Sequence, residues 1–379
     1  MSQTLSLRAL GRATLARQFL LQRVAMPAEE VIVHLVGMQG QAPQAPYVGL
    51  WSRIAGFEPH ELSQLLLDRR VVRIPLMRNT IHLVTADDCL AMRPWTQPIF
   101  DRDLRTNTTF APGLRDLDLT ALAAATRKLV EAQPRTAKEL GALLQQRWPD
   151  RPANSLAHGA RNLLPLLQVP PRGLWGRSGQ PTLTTADAWL GRPLAEPDPA
   201  TLVRRYLAAF GPASVQDAQT WSGLTRLREV FERLPLRRFR DEDGRELFDL
   251  EDAPRPDPDT PAPVRFLAEY DNLLLSHADR ARVVGAESLR AIGAWREPPR
   301  GVLVDGYVKA TWKITRERQV ARLVVQPLDR LGTRDRAALT AEGERLLAFA
   351  AADAHAKEVS FAGTRVWAAG ASAASGIRA

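Results

Sequence analysis

The chain has 379 residues, 45% hydrophobic and 25% charged, which suits a globular protein of about two to four domains and excludes a disordered one. Its single cysteine, Cys89, excludes an internal disulfide framework, a cysteine-based zinc site and an iron–sulfur cluster. Lys and Arg total 51 against 42 acidic residues, a net charge of +9, and residues 1–190 carry 22 basic against 15 acidic side chains. Only five of the 51 are Lys. A basic, arginine-rich first half suits a polyanionic partner such as nucleic acid, because the planar guanidinium matches phosphate. The N-terminal stretch lacks the apolar core of a secretory signal, and no run of about 18 uncharged apolar residues occurs, so a cytoplasmic location is expected.

Three segments share one grammar of helix, short helix, helix, and two strands. In the first, helical periodicity runs over 27–39, 47–56 and 59–70. The β-branched runs 71–77 and 80–85 then predict a hairpin joined at Arg78-Asn79. The second predicts helices over 118–133, 136–148 and 155–167 and a hairpin over 174–185 turning at Ser178-Gly179. Thr136 three residues before Glu139 is a capping-box signature. The third predicts helices over 200–211, 214–223 and 224–234 and a hairpin over 236–250 turning at Asp243-Gly244. Three helices and a two-stranded wing make a winged helix, whose usual use is to set a helix in a groove and a wing against phosphates. Protein–protein scaffolding is the other use of such a unit.

A stretch dense in Pro and Asp at 249–263 reads as a boundary. Beyond it, a strand over 302–314, a turn at 315–318 and a strand over 319–328 predict a small antiparallel β-domain, with a closing helix over 333–354. The expected architecture is thus α+β, with winged helices at 1–112, 113–192 and 193–252. A β-barrel domain at 264–360 follows, and the end of the segment 361–379 is expected to be disordered.

No nucleotide-binding glycine motif, zinc-protease motif or serine-hydrolase elbow occurs, and the six histidines are scattered without metal-ligand spacing. No metal and no cofactor are expected. The oddest stretch is 35–52, which carries no charge. Within it stand Gln39, Gly40 and Gln41. Two amides at i and i+2 on extended backbone face the same way and offer acceptors and donors without charge. Capping a helix end or satisfying loop backbone is the plainer use of such glutamines.

These residues carry a resemblance. RALGRATLARQFLL, HLVGMQGQAPQAPYVGLWSRI, LMRNTIHLVTADD, AEYDNLLLSHADRARV and VLVDGYVKATWKI, in that order over about residues 8–328, resemble the AlkZ/YcaQ-like superfamily of winged-helix DNA glycosylases. The resemblance implies three tandem winged helices plus a β-barrel in a C shape with a basic concave face. It also implies catalytic residues at Gln39 and Gln41, in the Gln-x-Gln branch associated with azinomycin resistance and interstrand-crosslink repair. Gly40 departs from the aliphatic residue usual between the two, which loosens the loop or enlarges the pocket.

The implied activity is that of a monofunctional glycosylase hydrolysing the N-glycosidic bond of bulky or crosslinked N7-alkylguanine in double-stranded DNA. Its setting would be repair or self-resistance to a DNA-alkylating natural product, with neither a membrane nor an obligate protein partner. Residues 1–110 hold no lysine, so a Schiff base from a first-domain lysine is unavailable. Arg53, Arg78, Asn79, His82, His277 and Arg280 are expected DNA contacts. For His82, and for the polar cluster of Asp271, Asn272, His277 and Arg280, an internal bracing role is the competing reading. Tyr47 and Trp51 are aromatic enough to stack on a base or to be core. The alternative function is a non-catalytic winged-helix regulator.

Overall fold

In the computed structural model, which describes residues 3–292 and 300–363, the strongest local signals become caps and turns. Thr136 caps the helix Ala137–Arg147: its hydroxyl accepts the Glu139 N–H at 3.2 Å, and the Glu139 carboxylate takes the Thr136 N–H at 2.8 Å. Such a cap contributes about 1 kcal/mol. Ser214 and Asp217 form the same reciprocal pair at the start of Val215–Ser222. The chain reverses at Gly244, whose φ of 78° costs a glycine little. This turn joins strands Arg237–Asp241 and Glu246–Asp249.

The fold is mixed α+β, and its described residues divide into two units. One runs to Ala262 and resumes over Leu267–Arg282; the other takes Pro263–Phe266 and then continues from Val283. In the first unit each group of helices is followed by a pair of strands. The first two pairs merge into one six-stranded sheet, ordered Met38–Gln39, Ile81–Thr85, Val71–Pro75, Leu166–Val169, Thr182–Thr185, Arg135–Thr136. A single register pair, Arg73 opposite Gln168, joins the first hairpin to the second. The third hairpin forms a separate sheet, to which Gln3–Leu5 adds a parallel strand. Around it Tyr206, Phe210 and Trp221 pack with ring centroids 4.9–5.7 Å apart. Arg17, at the end of helix Leu7–Arg17, closes a buried bidentate pair with Asp249 at 2.7 and 2.8 Å.

In the second unit five strands pair in the order Arg265–Phe266, Gly301–Val304, Tyr307–Glu317, Val320–Pro327, Ala356–Phe361. Among the described residues the first and last of these are not paired with each other, so the sheet is an open half-barrel and not the closed barrel expected. The helix Thr333–Ala350 lies between the last two strands in sequence. The expected disorder at the C-terminal end concerns residues beyond 363, outside those described.

Three local expectations need correction. The first periodic run is not one helix over 27–39: the helix stops at His34, and Met38–Gln39 is a strand paired with Leu83 and His82. Gly37, at φ 83°, makes that switch; a Cβ there would stand 2.5 Å from Val84 Cγ1. The second hairpin does not turn at Ser178-Gly179. Its first strand is Leu166–Val169, the apolar end of what reads as a helix, and a long loop separates it from Thr182–Thr185. Residues 302–314 are two strands, because Asp305 and Gly306 both take positive φ and reverse the chain. The polar cluster at 271–280 begins with the short helix Asn272–Leu275, capped by Asp271.

Candidate active site

The uncharged stretch crosses the edge of the six-stranded sheet. Gln39 sits opposite His82 at the end of its strand, the Gly40 N–H donates to the Ile81 carbonyl at 2.8 Å, and the chain bends at Gln41. Gln39 is 7% exposed. Its N–H donates to Asn272 Oδ1 at 3.3 Å, and Asn272 Nδ2 donates to the Gly37 carbonyl at 2.7 Å. Its side-chain Oε1 is buried with no hydrogen-bond partner. Buried amide oxygens are rarely left so, and this one is an acceptor held open.

Gln41 is exposed. Its Oε1 accepts the Ile81 N–H at 3.3 Å, and it lines a cavity of about 460 Å³ with Arg73, Asn79, Lys138, Arg161, Gln168 and Arg172 among its walls. The loop after Leu166–Val169 is tied to the same stretch. Gln44 donates to the Leu174 carbonyl at 3.0 Å and accepts the Gly176 N–H at 3.2 Å. The buried Tyr47 hydroxyl donates to the Gly173 carbonyl at 2.8 Å. Tyr47 is therefore core, and Trp51 carries the Arg23 guanidinium over its ring at 4.6 Å.

The other expected contacts are distributed differently. Arg53 has no exposed surface; its guanidinium meets both oxygens of Asp271 at 2.7 and 2.9 Å and the Gly49 carbonyl at 3.0 Å. The expected phosphate contact gives way to an internal brace, and Asp271 is fixed further by capping Leu273 at 3.0 Å. His277 is likewise buried. Its Nε2 donates to the Phe210 carbonyl at 3.0 Å, and its Nδ1 takes the Ser276 hydroxyl at 2.9 Å. Burial, with the Arg282 charge beside it, holds this imidazole neutral. His82 donates from Nδ1 to the Thr80 carbonyl at 2.8 Å; burial first, and then Arg78, pulls its pKa down to about 3. It is neutral at physiological pH and cannot serve as a cationic phosphate contact.

Half-buried Arg280 donates from Nε to the Leu274 carbonyl at 2.9 Å. Arg78 and Asn79 occupy the turn Met77–Asn79 of the first hairpin, both with positive φ. Arg78 donates to the Trp221 carbonyl. Asn79 reaches Asp103 at 3.3 Å and Asn162 at 3.4 Å, and it alone of the six expected contacts lines the cavity beside Gln41.

The residue that sequence reasoning passes over is Arg73. It is 1% exposed, in a strand whose five residues are all buried. Its Nη2 donates to the Gly40 carbonyl at 2.7 Å and reaches Gln168 Oε1 at 3.4 Å, while Nε and Nη1 have no partner. Burial, and Arg172 after it, lowers its pKa to about 10, so the group stays charged at neutral pH. A Cβ on residue 40 would stand 3.1 Å from Nη1. The guanidinium fills the space that a side chain at the middle of the motif would take. One charged residue inside the run VVRIP was the available signal.

Among the described residues no group of three or more His, Cys, Asp or Glu is placed to hold a metal ion, and no helix is long and apolar enough to cross a membrane. The fold coincides with a described class of protein. Residues 32–349 match the family described as DNA glycosylase AlkZ-like, and the chain belongs to that family. Among its relatives is a protein of Streptomyces sahachiroi named interstrand DNA cross-link repair glycosylase, 25% identical over 345 residues that span 82% of this chain and 87% of the relative. The solved structure of Streptomyces sahachiroi DNA glycosylase AlkZ superposes with a TM-score of 0.76 at 21% identity. The superposition covers 95% of this chain and all of that one, and the likeness is one of fold.

Proposed function

We propose that this chain is a monofunctional DNA glycosylase that hydrolyses the N-glycosidic bond of a bulky or crosslinked N7-alkylguanine and leaves an abasic site. The setting is DNA repair or self-resistance to a DNA-alkylating natural product. We read its three helix-and-hairpin segments as winged helices that hold duplex DNA. The name of the Streptomyces sahachiroi relative, an interstrand DNA cross-link repair glycosylase, supports the reading.

The observation that carries it is the pair of amides: Gln39, with a buried and unpartnered Oε1, and Gln41, exposed on the cation-lined cavity. N7-alkylation makes the guanine cationic, so the base departs with the bonding pair from C1′ and needs no strong acid. Neutral His82 fits that requirement. The developing sugar cation needs an oriented water and an acceptor dipole, and a preorganised amide oxygen supplies both without titrating. We assign the water to Gln39 and the sugar or lesion to Gln41. Water oxygen bonds to C1′, the C1′–N9 bond breaks, the free base leaves neutral, and the proton from water passes to solvent.

The test is release of alkali-labile sites from duplexes carrying one N7-methylguanine or one bulky N7-linked crosslink. Gln39→Ala and Gln41→Ala are each expected to lower release by about 100-fold or more with DNA affinity retained. Absence of release from every lesion, with salt-dependent binding intact, would overturn the reading in favour of a regulator.

A further inference from the structure

The cavity beside Gln41 holds more positive charge than its neighbours neutralise. Arg73, Lys138, Arg161 and Arg172 line it, and among the described residues no carboxylate does. Two carboxylates lie near and both are engaged. Glu139 is turned back onto the Thr136 N–H and hydroxyl at 2.8 and 2.9 Å. Asp103, whose charge acts on Arg161, is held by His158 at 2.8 Å and Asn162 at 2.9 Å. The first turn of the helix Ala137–Arg147 opens on the same space, and a helix N-terminus adds partial positive charge.

Arg73 is the decisive group. Arg17 and Arg53, equally buried, each hold a carboxylate; Arg73 is buried with two unpartnered guanidinium nitrogens. An unpaired buried cation costs a fold stability. Here two glycines make room for it: a Cβ at residue 40 would stand 3.1 Å from Nη1, and one at residue 173 would stand 2.5 Å from Cδ.

We propose that this cavity is a phosphate site that takes one backbone phosphodiester of the bound DNA strand, next to the sugar that Gln41 faces. The inference deepens the glycosylase reading and rests on it for the position of the sugar. Arg73 then acts as a positioning residue, and Gly40 is the vacancy that admits it.

Binding to an uncleavable abasic-analogue duplex tests this without any base release, so the pocket and the glycosylase reading fail separately. Duplexes with a single neutral methylphosphonate are walked across the strand near the analogue. One position is expected to weaken the wild type by about tenfold. Arg73→Gln and Arg161→Gln are expected to weaken the unmodified duplex about as much, to lose sensitivity at that one position, and to lower the salt slope by about one. Melting separates function from structure: Arg73→Gln is expected to melt at or above the wild-type temperature, because it removes an unpaired buried charge.

Two outcomes overturn the proposal. One is equal sensitivity of the wild type and both variants at every position. The other is stabilisation of the wild type, but not of Arg73→Gln, by inorganic phosphate with no sensitive position on the strand, which makes the pocket a site for free phosphate.

Discussion

Two walls of the first unit each bury an arginine, and they treat it in opposite ways. At one, Arg53 is locked to Asp271 by two short bonds, and the next residue, Asn272, holds the backbone of Gly37 and Gln39. At the other, Arg73 and the Gln39 amide oxygen are buried with bonding capacity unused. A fold that pairs one buried guanidinium with a carboxylate and leaves the other without one separates a brace from a binding surface. The first should respond to mutation through stability, the second through ligands.

The largest effect expected of that contrast is at the brace. Arg53→Met strands Asp271 as a buried unpaired carboxylate and is expected to cost about 3–5 kcal/mol in urea unfolding. A loss under about 1 kcal/mol would erase the distinction from Arg73. Asn272→Ala removes an acceptor from the Gln39 N–H and a donor from the Gly37 carbonyl. It should cost about 1–3 kcal/mol and lower base release at unchanged DNA affinity, a split read by comparing turnover with binding.

The pH dependence sharpens the same line. The His82 pKa is lowered from 6.5 to about 3, so the unfolded chain binds a proton there that the folded chain refuses. This contribution to stability is whole above about pH 6.5 and is lost as pH falls toward about 3. His82→Gln should flatten the acid limb of stability against pH by about 1.4 kcal/mol per pH unit, and an unchanged limb would refute the burial argument. The smallest effect is at Gly40. Gly40→Ala should change stability by under about 1 kcal/mol, because chain stiffening is set against the close approach to Arg73 Nη1. A double-mutant cycle with Arg73→Gln should show coupling; additivity would mean the two residues do not share the space.

Much of the framework was legible because its signals are local. The box of Thr136 and Glu139, the Asp243-Gly244 turn and the hairpin on either side of Arg78-Asn79 each depend on residues a few positions apart. The glutamine pair stood out for the same reason, as an uncharged stretch in a chain a quarter of whose residues are charged. Local signals failed where one apolar run served two elements. Leu166–Val169 reads as the end of a helix until a distant strand, Thr182–Thr185, pairs with it. Met38–Gln39 reads as helix until Gly37 breaks the run and Ile81–Thr85 offers an edge.

The side chains divide along the same line. Sequence spacing marks which residues are unusual, because charge, amide and glycine chemistry is written into each position. Whether an arginine is brace or ligand depends on what arrives beside it from far away. Asp271 meets Arg53 from 218 positions along the chain, whereas Arg73 is met by Gln168 and by the backbone of Gly40. Pattern along the chain names the actors, and long-range packing sets the dielectric and the partners that assign their roles.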